Sequence, residues 1–240
     1  MRPGPLVLVI ALLALAGVCA RMGLWQHSRW VEKRAANARL ESMLRAGPES
    51  LAGGAALKAR RTDKVLLGGR FDTSRHLLLS HEPEEGGVGV DVVTPLRLAD
   101  GVLVLVNRGW MAVDSAEAAH PERFTTDDSV LVVAYAQPLK GAHSRLPWVR
   151  LAGETPERWS SLHPDPDTLA ARWPGVTNDV WLVALPECTM DSLKRFPPRL
   201  TDPQTHLSYA VQWAIFTLAA LGGVIVVLAR ERKRAAGAAA

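Results

Sequence analysis

The sequence predicts an α+β membrane protein in which two transmembrane helices flank a mainly antiparallel, β-rich extracytoplasmic domain. Three observations predict it. Ala210 to Ala229 is an uninterrupted twenty-residue uncharged run, AVQWAIFTLAALGGVIVVLA, with Gln212 as its only strongly polar member. A second apolar run lies near the start of the chain. Between them, short runs rich in Val and Leu follow one another too closely for helical crossovers to fit.

The last helix is the plainest element. At ~1.5 Å per residue, twenty residues span roughly 30 Å, the thickness of a hydrocarbon core. The helix is placed at 206–229. The basic run from Arg230 to Arg234 opens a tail, 230–240, that the positive-inside rule assigns to the cytoplasm.

The first apolar run admits two readings. Leu6 to Ala20 is fifteen residues long and follows Arg2, and Val18-Cys19-Ala20 resembles a signal-peptidase site. Extended through Arg21 to Trp25, it becomes a spanning helix, 6–25, with Arg21 snorkelling and Trp25 at the interface. The bulk of Val18 before Cys19 argues against a lipoprotein. Arg21, Arg29, Lys33 and Arg34 follow this segment and oppose outward placement of what comes next. The basic tail of the last helix argues the other way, and long translocated domains largely escape the charge rule. Either reading puts the middle of the chain outside. No Arg- and Ser-rich transit peptide precedes the run, which favours a bacterial inner membrane over an organelle.

After Trp25, residues 26–47 read as a helical extension rich in Ala, Arg and Glu that closes at Gly47-Pro48. A β-rich domain is placed at 60–205. Its strands are expected at 65–71, 76–80, 88–98, 102–110, 130–136 and 180–185, with Asp100-Gly101 signalling a two-residue hairpin. Asp167 to Arg172 reads as one short helix.

Composition narrows the function. Across 240 residues, 48% hydrophobic and 22% charged content excludes a disordered or fibrous chain. The net charge of +4 sits at the ends, leaving 23 basic and 23 acidic residues between positions 3 and 229. So neutral a body argues against nucleic acid as a partner. Cys19 and Cys188 form no CxxC pair, so neither a disulfide scaffold nor a thiolate metal module is expected.

No G-x-S-x-G or Walker A motif occurs. Gly86-Gly87-Val88-Gly89 leads into a strand and reads as a flexible turn. Glu82, Glu84 and Glu85 read as a solvated loop rather than an acid–base pair. His76 and His81 flank a strand and point to opposite faces, which excludes a shared metal. His120, His143 and His163 read as surface loop residues, and His27 lies at headgroup level.

His206 differs, standing four residues before the last apolar run. His206, Tyr209, Trp213 and Phe216 or Thr217 follow at steps of three or four and share one helical stripe. An imidazole above an aromatic column suits a flat apolar macrocycle such as haem. An interfacial aromatic belt with a histidine reads from the same residues.

Four motifs in order carry a resemblance. Gly-Leu-Trp-Gln-x-x-Arg-x-x-x-Lys at 23–33 follows the first helix, and Gly69-Arg70-Phe71-Asp72 comes next. Val93-Thr94-Pro95-Leu96, Asp100-Gly101 and Val104-Leu105-Val106-Asn107-Arg108-Gly109-Trp110 form the third. His206-Leu207-Ser208-Tyr209-Ala210-Val211-Gln212-Trp213 opens the last helix. From about residue 6 to 229 the chain resembles the surfeit locus protein 1 family, assembly factors of cytochrome c oxidase.

The resemblance implies a two-helix inner-membrane protein with both termini cytoplasmic. It implies a non-enzymatic role in delivering or stabilising haem a while oxidase subunit I is built, with haem a synthase as a further partner. His206 matches the family's histidine at the head of the last helix, the position considered a haem iron ligand, with Tyr209 and Trp213 beside it. Trp25, Gln26 and Arg29 match the first-helix exit, where a cation could pair haem propionates. Asn107 to Trp110 match a strand-end motif expected to maintain the fold, Gly109 by an unusual backbone angle and Trp110 by core packing.

Overall fold

The computed structural model describes residues 3–58, 63–80, 87–124, 128–141 and 147–238. The chain divides into a helical unit, residues up to Glu41 together with those from Arg199, and a β-rich unit, Ser42–Pro198.

In the helical unit, α1 begins at Pro3 and continues without a break to Arg45, while α4 runs from Gln204 to Ala238. Both are long and apolar enough to cross a bilayer. They pack antiparallel. Val9, Ala16 and Cys19 recur at helical spacing on one face of α1 and are buried, as are Ala220 and Val224 on α4. Small residues permit the approach: a Cβ added at Gly223 would lie 3.2 Å from Leu12 Cδ1. Lipid tails are as apolar as these side chains, so close packing replaces the hydrophobic effect as the force between them.

The β-rich unit starts with β1 (Glu49–Ser50) and a short helix, α2 (Gly54–Lys58). Four strands follow: β2 (Lys64–Phe71), β3 (Arg75–Ser80), β4 (Gly89–Leu98) and β5 (Leu103–Ala112). After two 3-10 turns come β6 (Val130–Pro138), β7 (Val149–Arg150), β8 (Glu157–Ser161), α3 (Pro166–Arg172) and β9 (Val180–Ala184). The sheet order is β1-β2-β6-β9-β5-β4-β3-β8-β7, and β2 also pairs with β4. That extra pairing closes β2, β6, β9, β5 and β4 into a barrel, which removes the edges an open sheet would leave there.

Alternation fixes the register. Strands β2, β6 and β9 bury every second residue, so Val65, Leu67, Val132, Ala134, Leu182 and Ala184 fill the barrel. β5 is buried on both faces. Val104 and Val106 point into the barrel, while Leu103 and Leu105 pack beneath a layer of Trp148, Trp159 and Trp173. Trp148 meets Trp173 edge-on at 5.5 Å, and the Arg172 guanidinium lies 4.3 Å from the Trp159 ring centroid.

The pairing is mainly antiparallel, with β1–β2, β3–β8 and β5–β9 parallel. The long way round from β5 to β9 accommodates a parallel neighbour that the close strand spacing does not suggest. The β4–β5 connection is also longer than the two residues Asp100-Gly101 predict, since β4 ends at Leu98 and β5 begins at Leu103. Gly101 has φ +82, and Asp100 Oδ2 accepts from the Gly54 N–H at 2.8 Å, tying the turn to α2. At α3, the Asp165 carboxylate caps the Thr168 N–H at 2.8 Å and Pro166 follows it, the usual helix start.

Candidate functional site

Gln26 and His206 meet across the two long helices. His206 Nδ1 lies 2.6 Å from Gln26 Oε1, although 180 residues separate them in sequence. The chain approaching α4 is tied to α1 at a second point. The Asn37 amide donates to Thr201 O at 2.7 Å, and its Oδ1 accepts from Thr201 N at 3.1 Å. The turn into α4 is capped by Asp202, which accepts from the Gln204 N–H at 2.9 Å and from the Thr205 hydroxyl at 3.1 Å. Those bonds, the first of them to the backbone of Gln204, hold the Asp202 carboxyl below its ordinary range.

Below His206 the stripe continues. Tyr209 is about half exposed, and Trp213 meets Phe216 edge-on at 5.8 Å. Thr217 turns its hydroxyl back to Trp213 O at 2.9 Å. The first-helix residues separate. Gln26 faces α4, whereas Trp25, one residue earlier, is 51% exposed and lines a groove of about 830 Å³ with Gly17, Arg21, Leu24 and Ser28. Arg29 is engaged with Glu32 at 2.6 Å on the surface of the same helix. Among the described residues, no hydrogen bond or ring contact joins Trp25 or Arg29 to His206.

The strand-end motif has a different task. Val92 pairs with Gly109 while Val93 pairs with Asn107, so Arg108 is the extra residue of a β-bulge. The bulge turns Arg108 into the interior, where it is 1% exposed. Its Nε and Nη2 donate to Asp191 Oδ2 at 3.0 and 2.6 Å, Nη2 also donates to Phe124 O, and the guanidinium lies 4.8 Å from the Phe71 ring centroid. Asp191 also accepts from Arg195 through its other oxygen. Burial lowers the Arg108 pKa and Asp191 opposes that shift.

Gly109 takes φ +137, a conformation L side chains rarely adopt, and a Cβ there would lie 2.8 Å from Lys194 O. Next to it, Trp110 exchanges two backbone bonds with Lys194, at 2.7 and 3.0 Å, and meets the Phe196 ring edge-on at 6.0 Å. Asn107 accepts from the Gly109 N–H at 3.0 Å and donates to Asp91 at 3.0 Å. The motif thus locks the segment 191–196, which leads to α4, onto strand β5.

Sequence reasoning missed two positions here. His76 is fully buried on β3, with Nδ1 2.9 Å from Thr94 Oγ1, and burial, aided by the Arg108 charge, pushes its pKa down to about 4. Leu residues following it on an inward run were the available signal. Asp191 carried none, being one acid in a polar loop. His120 pairs with Glu122 at 2.9 Å in a half-exposed turn, and His163 is exposed. His81, Glu82, Glu84, Glu85, Gly86 and His143 lie outside the described residues.

A 49-residue stretch is 39% identical to a SURF1-like protein of Dictyostelium discoideum, covering 20% of this chain and 18% of that protein. The alignment therefore spans less than a fifth of that relative's length. The model of the SURF1 family, the surfeit locus protein 1 family, matches residues 13–218, which takes in α1 from Leu13 onward, the whole β-rich unit and the aromatic stripe of α4. A match over most of the chain places it: this protein belongs to the SURF1 family.

Proposed function

We propose that this protein serves the biogenesis of cytochrome c oxidase by holding haem a at His206 and assisting its insertion into oxidase subunit I. The observation that carries the reading is the Gln26–His206 pair. Gln26 Oε1 can only accept a hydrogen bond, so in the neutral ring it is Nδ1 that carries the proton and Nε2 that keeps a lone pair. A neutral imidazole oriented in this way fits a haem iron ligand. When bound, haem a would supply the redox-active iron that the oxidase requires.

The chain's own residues do the rest. Tyr209, Trp213 and Phe216 offer an apolar aromatic column beside the imidazole at the head of the spanning segment. Trp25 presents a further exposed ring surface midway along α1, one residue before Gln26. Arg29 would have to exchange Glu32 for a propionate, a small cost for a solvent-exposed pair. Nothing in this scheme calls for bond making, and we read the protein as a binding and handover factor rather than an enzyme. Haem a synthase is the donor that such a factor requires.

In this reading the membrane is the bacterial inner membrane. Both termini lie in the cytoplasm, as Arg230 to Arg234 favour, and the β-rich unit lies outside.

The test is the visible spectrum of detergent-purified protein, expressed where haem a is made, beside His206→Ala. A Soret band present in the parent and lost in the variant supports delivery. If both proteins are colourless yet folded, the haem reading falls and a haem-independent scaffold for assembly intermediates replaces it.

A further inference from the structure

The glycine that opens the Gly-Leu-Trp-Gln motif sits one helical turn from the bond it makes possible. A Cβ added at Gly23 would lie 3.4 Å from Trp213 Cβ and 3.6 Å from Ala210 O, so the α1 backbone rests almost directly on α4 there. Gln26 is one turn further along α1 on the same face, as His206 is one turn back along α4 from Ala210. The close approach at Gly23 brings the Gln26 amide within 2.6 Å of His206 Nδ1. A methyl at position 23 would just fit, whereas a branched side chain would force the helices apart.

We infer that Gln26 is a positioning residue that selects the Nδ1–H tautomer of His206 and so presents Nε2 as the ligating atom, with Gly23 setting the helix separation this requires. The inference rests on reading His206 as an iron ligand, but the tautomer itself belongs to the protein without haem. Neutral histidine in water favours the opposite tautomer, with the proton on Nε2. That form cannot bind a metal through Nε2 without first losing the proton. A neighbour that only accepts at Nδ1 reverses the preference, because which nitrogen is protonated follows the hydrogen bond the ring makes. The carboxylate or carbonyl behind a ligating histidine acts in the same way in other metal sites, and its loss there weakens binding about tenfold to a hundredfold.

The experiment uses the full chain in detergent micelles, free of haem and labelled with ¹⁵N histidine, at about pH 8.5, above the usual imidazole range. Long-range proton–nitrogen correlations identify the tautomer, and the His206 signal is assigned by its loss in His206→Ala. The parent should show Nδ1–H, Gln26→Leu should shift His206 to Nε2–H, and Gln26→Glu, which keeps an acceptor, should retain Nδ1–H. Gly23→Leu should behave as Gln26→Leu, and Gly23→Ala as the parent. Circular dichroism confirms that each variant is folded.

Titration with haemin then gives the second readout. Weakening by about tenfold or more in Gln26→Leu, restored in Gln26→Glu, completes the case. An Nε2–H parent, or a tautomer unmoved by Gln26→Leu, overturns the inference. Should the tautomer shift as expected while haemin binds equally well to His206→Ala, the positioning role stands and the ligand reading of His206 fails.

Discussion

Asp191 lies between two buried arginines: Arg108 donates to its Oδ2 at 2.6 and 3.0 Å, and Arg195 donates to its Oδ1. All three side chains are at most 5% exposed. One carboxylate thus faces two guanidiniums. Main-chain carbonyls meet part of the surplus: Arg108 donates to Phe124 O, and Arg195 to Asp191 O and Leu193 O at 3.1 and 3.2 Å, while Arg108 Nη1 and Arg195 Nε are buried without an acceptor among the described residues.

Removing the carboxylate leaves two cations without a counter-ion in the interior. Asp191→Ala should destabilise the β-rich unit by on the order of 3–5 kcal/mol. Urea unfolding followed by tryptophan fluorescence measures it. Arg108→Met and Arg195→Met combined with Asp191→Leu should lose less than Asp191→Ala alone, since no charge is then stranded.

Two positive-φ glycines should respond unequally to alanine. Gly101 has open space around its missing Cβ, so Gly101→Ala meets only backbone strain of about 1–2 kcal/mol. Gly109→Ala adds a clash with Lys194 O at 2.8 Å to a φ of +137 and should exceed it clearly. The same urea midpoints rank the pair.

His76 makes the β-rich unit sensitive to acid. Its folded pKa, pushed down to about 4 by burial and then by Arg108, lies below the ordinary 6.5. The unfolded chain therefore takes up this proton first. Stability is complete above about pH 6.5 and declines as pH falls toward 4, by on the order of 3 kcal/mol in all. Unfolding midpoints taken across that window should slope in the parent and flatten in His76→Gln. A parallel slope in the variant would assign the effect to carboxylates such as Asp72 and Glu122, whose lowered pKa values act further into acid.

Not every ion pair carries weight. Lys64 reaches Glu187 at 2.6 Å and Leu44 O at 3.3 Å, but the Glu187 side chain is 47% exposed. Lys64→Met should cost about 1 kcal/mol or less. Thermal unfolding compared with Asp191→Ala displays the contrast.

What the sequence made legible follows from periodicity. Uncharged length shows the run 210–229, and the Val- and Leu-rich alternations show β2 to β6 and β9. β8 escapes because ERWSS buries only Trp159 and otherwise looks like a polar loop. β1 and β7 have two residues each, too few for a pattern. Gly109 could be read as a backbone requirement, but the partner of Arg108 could not, since Asp191 is 83 residues away. His206 was visible through helical spacing. Its bond to Gln26 was not, because spacing describes one helix and says nothing of its neighbour across 180 residues.

Barrel closure also has a place in time. Strand β9 fills the gap between β6 and β5, yet it is the last strand to leave the ribosome. Until Ala184 has emerged, β5 and β6 present open edges of nine or ten residues, the kind of surface that invites mispairing. The lock on β5 closes later still, when Asp191 to Arg195 arrive, only a few residues before α4 begins at Gln204. Completion of the β-rich unit and entry of the second spanning helix into the bilayer therefore fall within the same short interval of synthesis, and a stall in that interval exposes both at once.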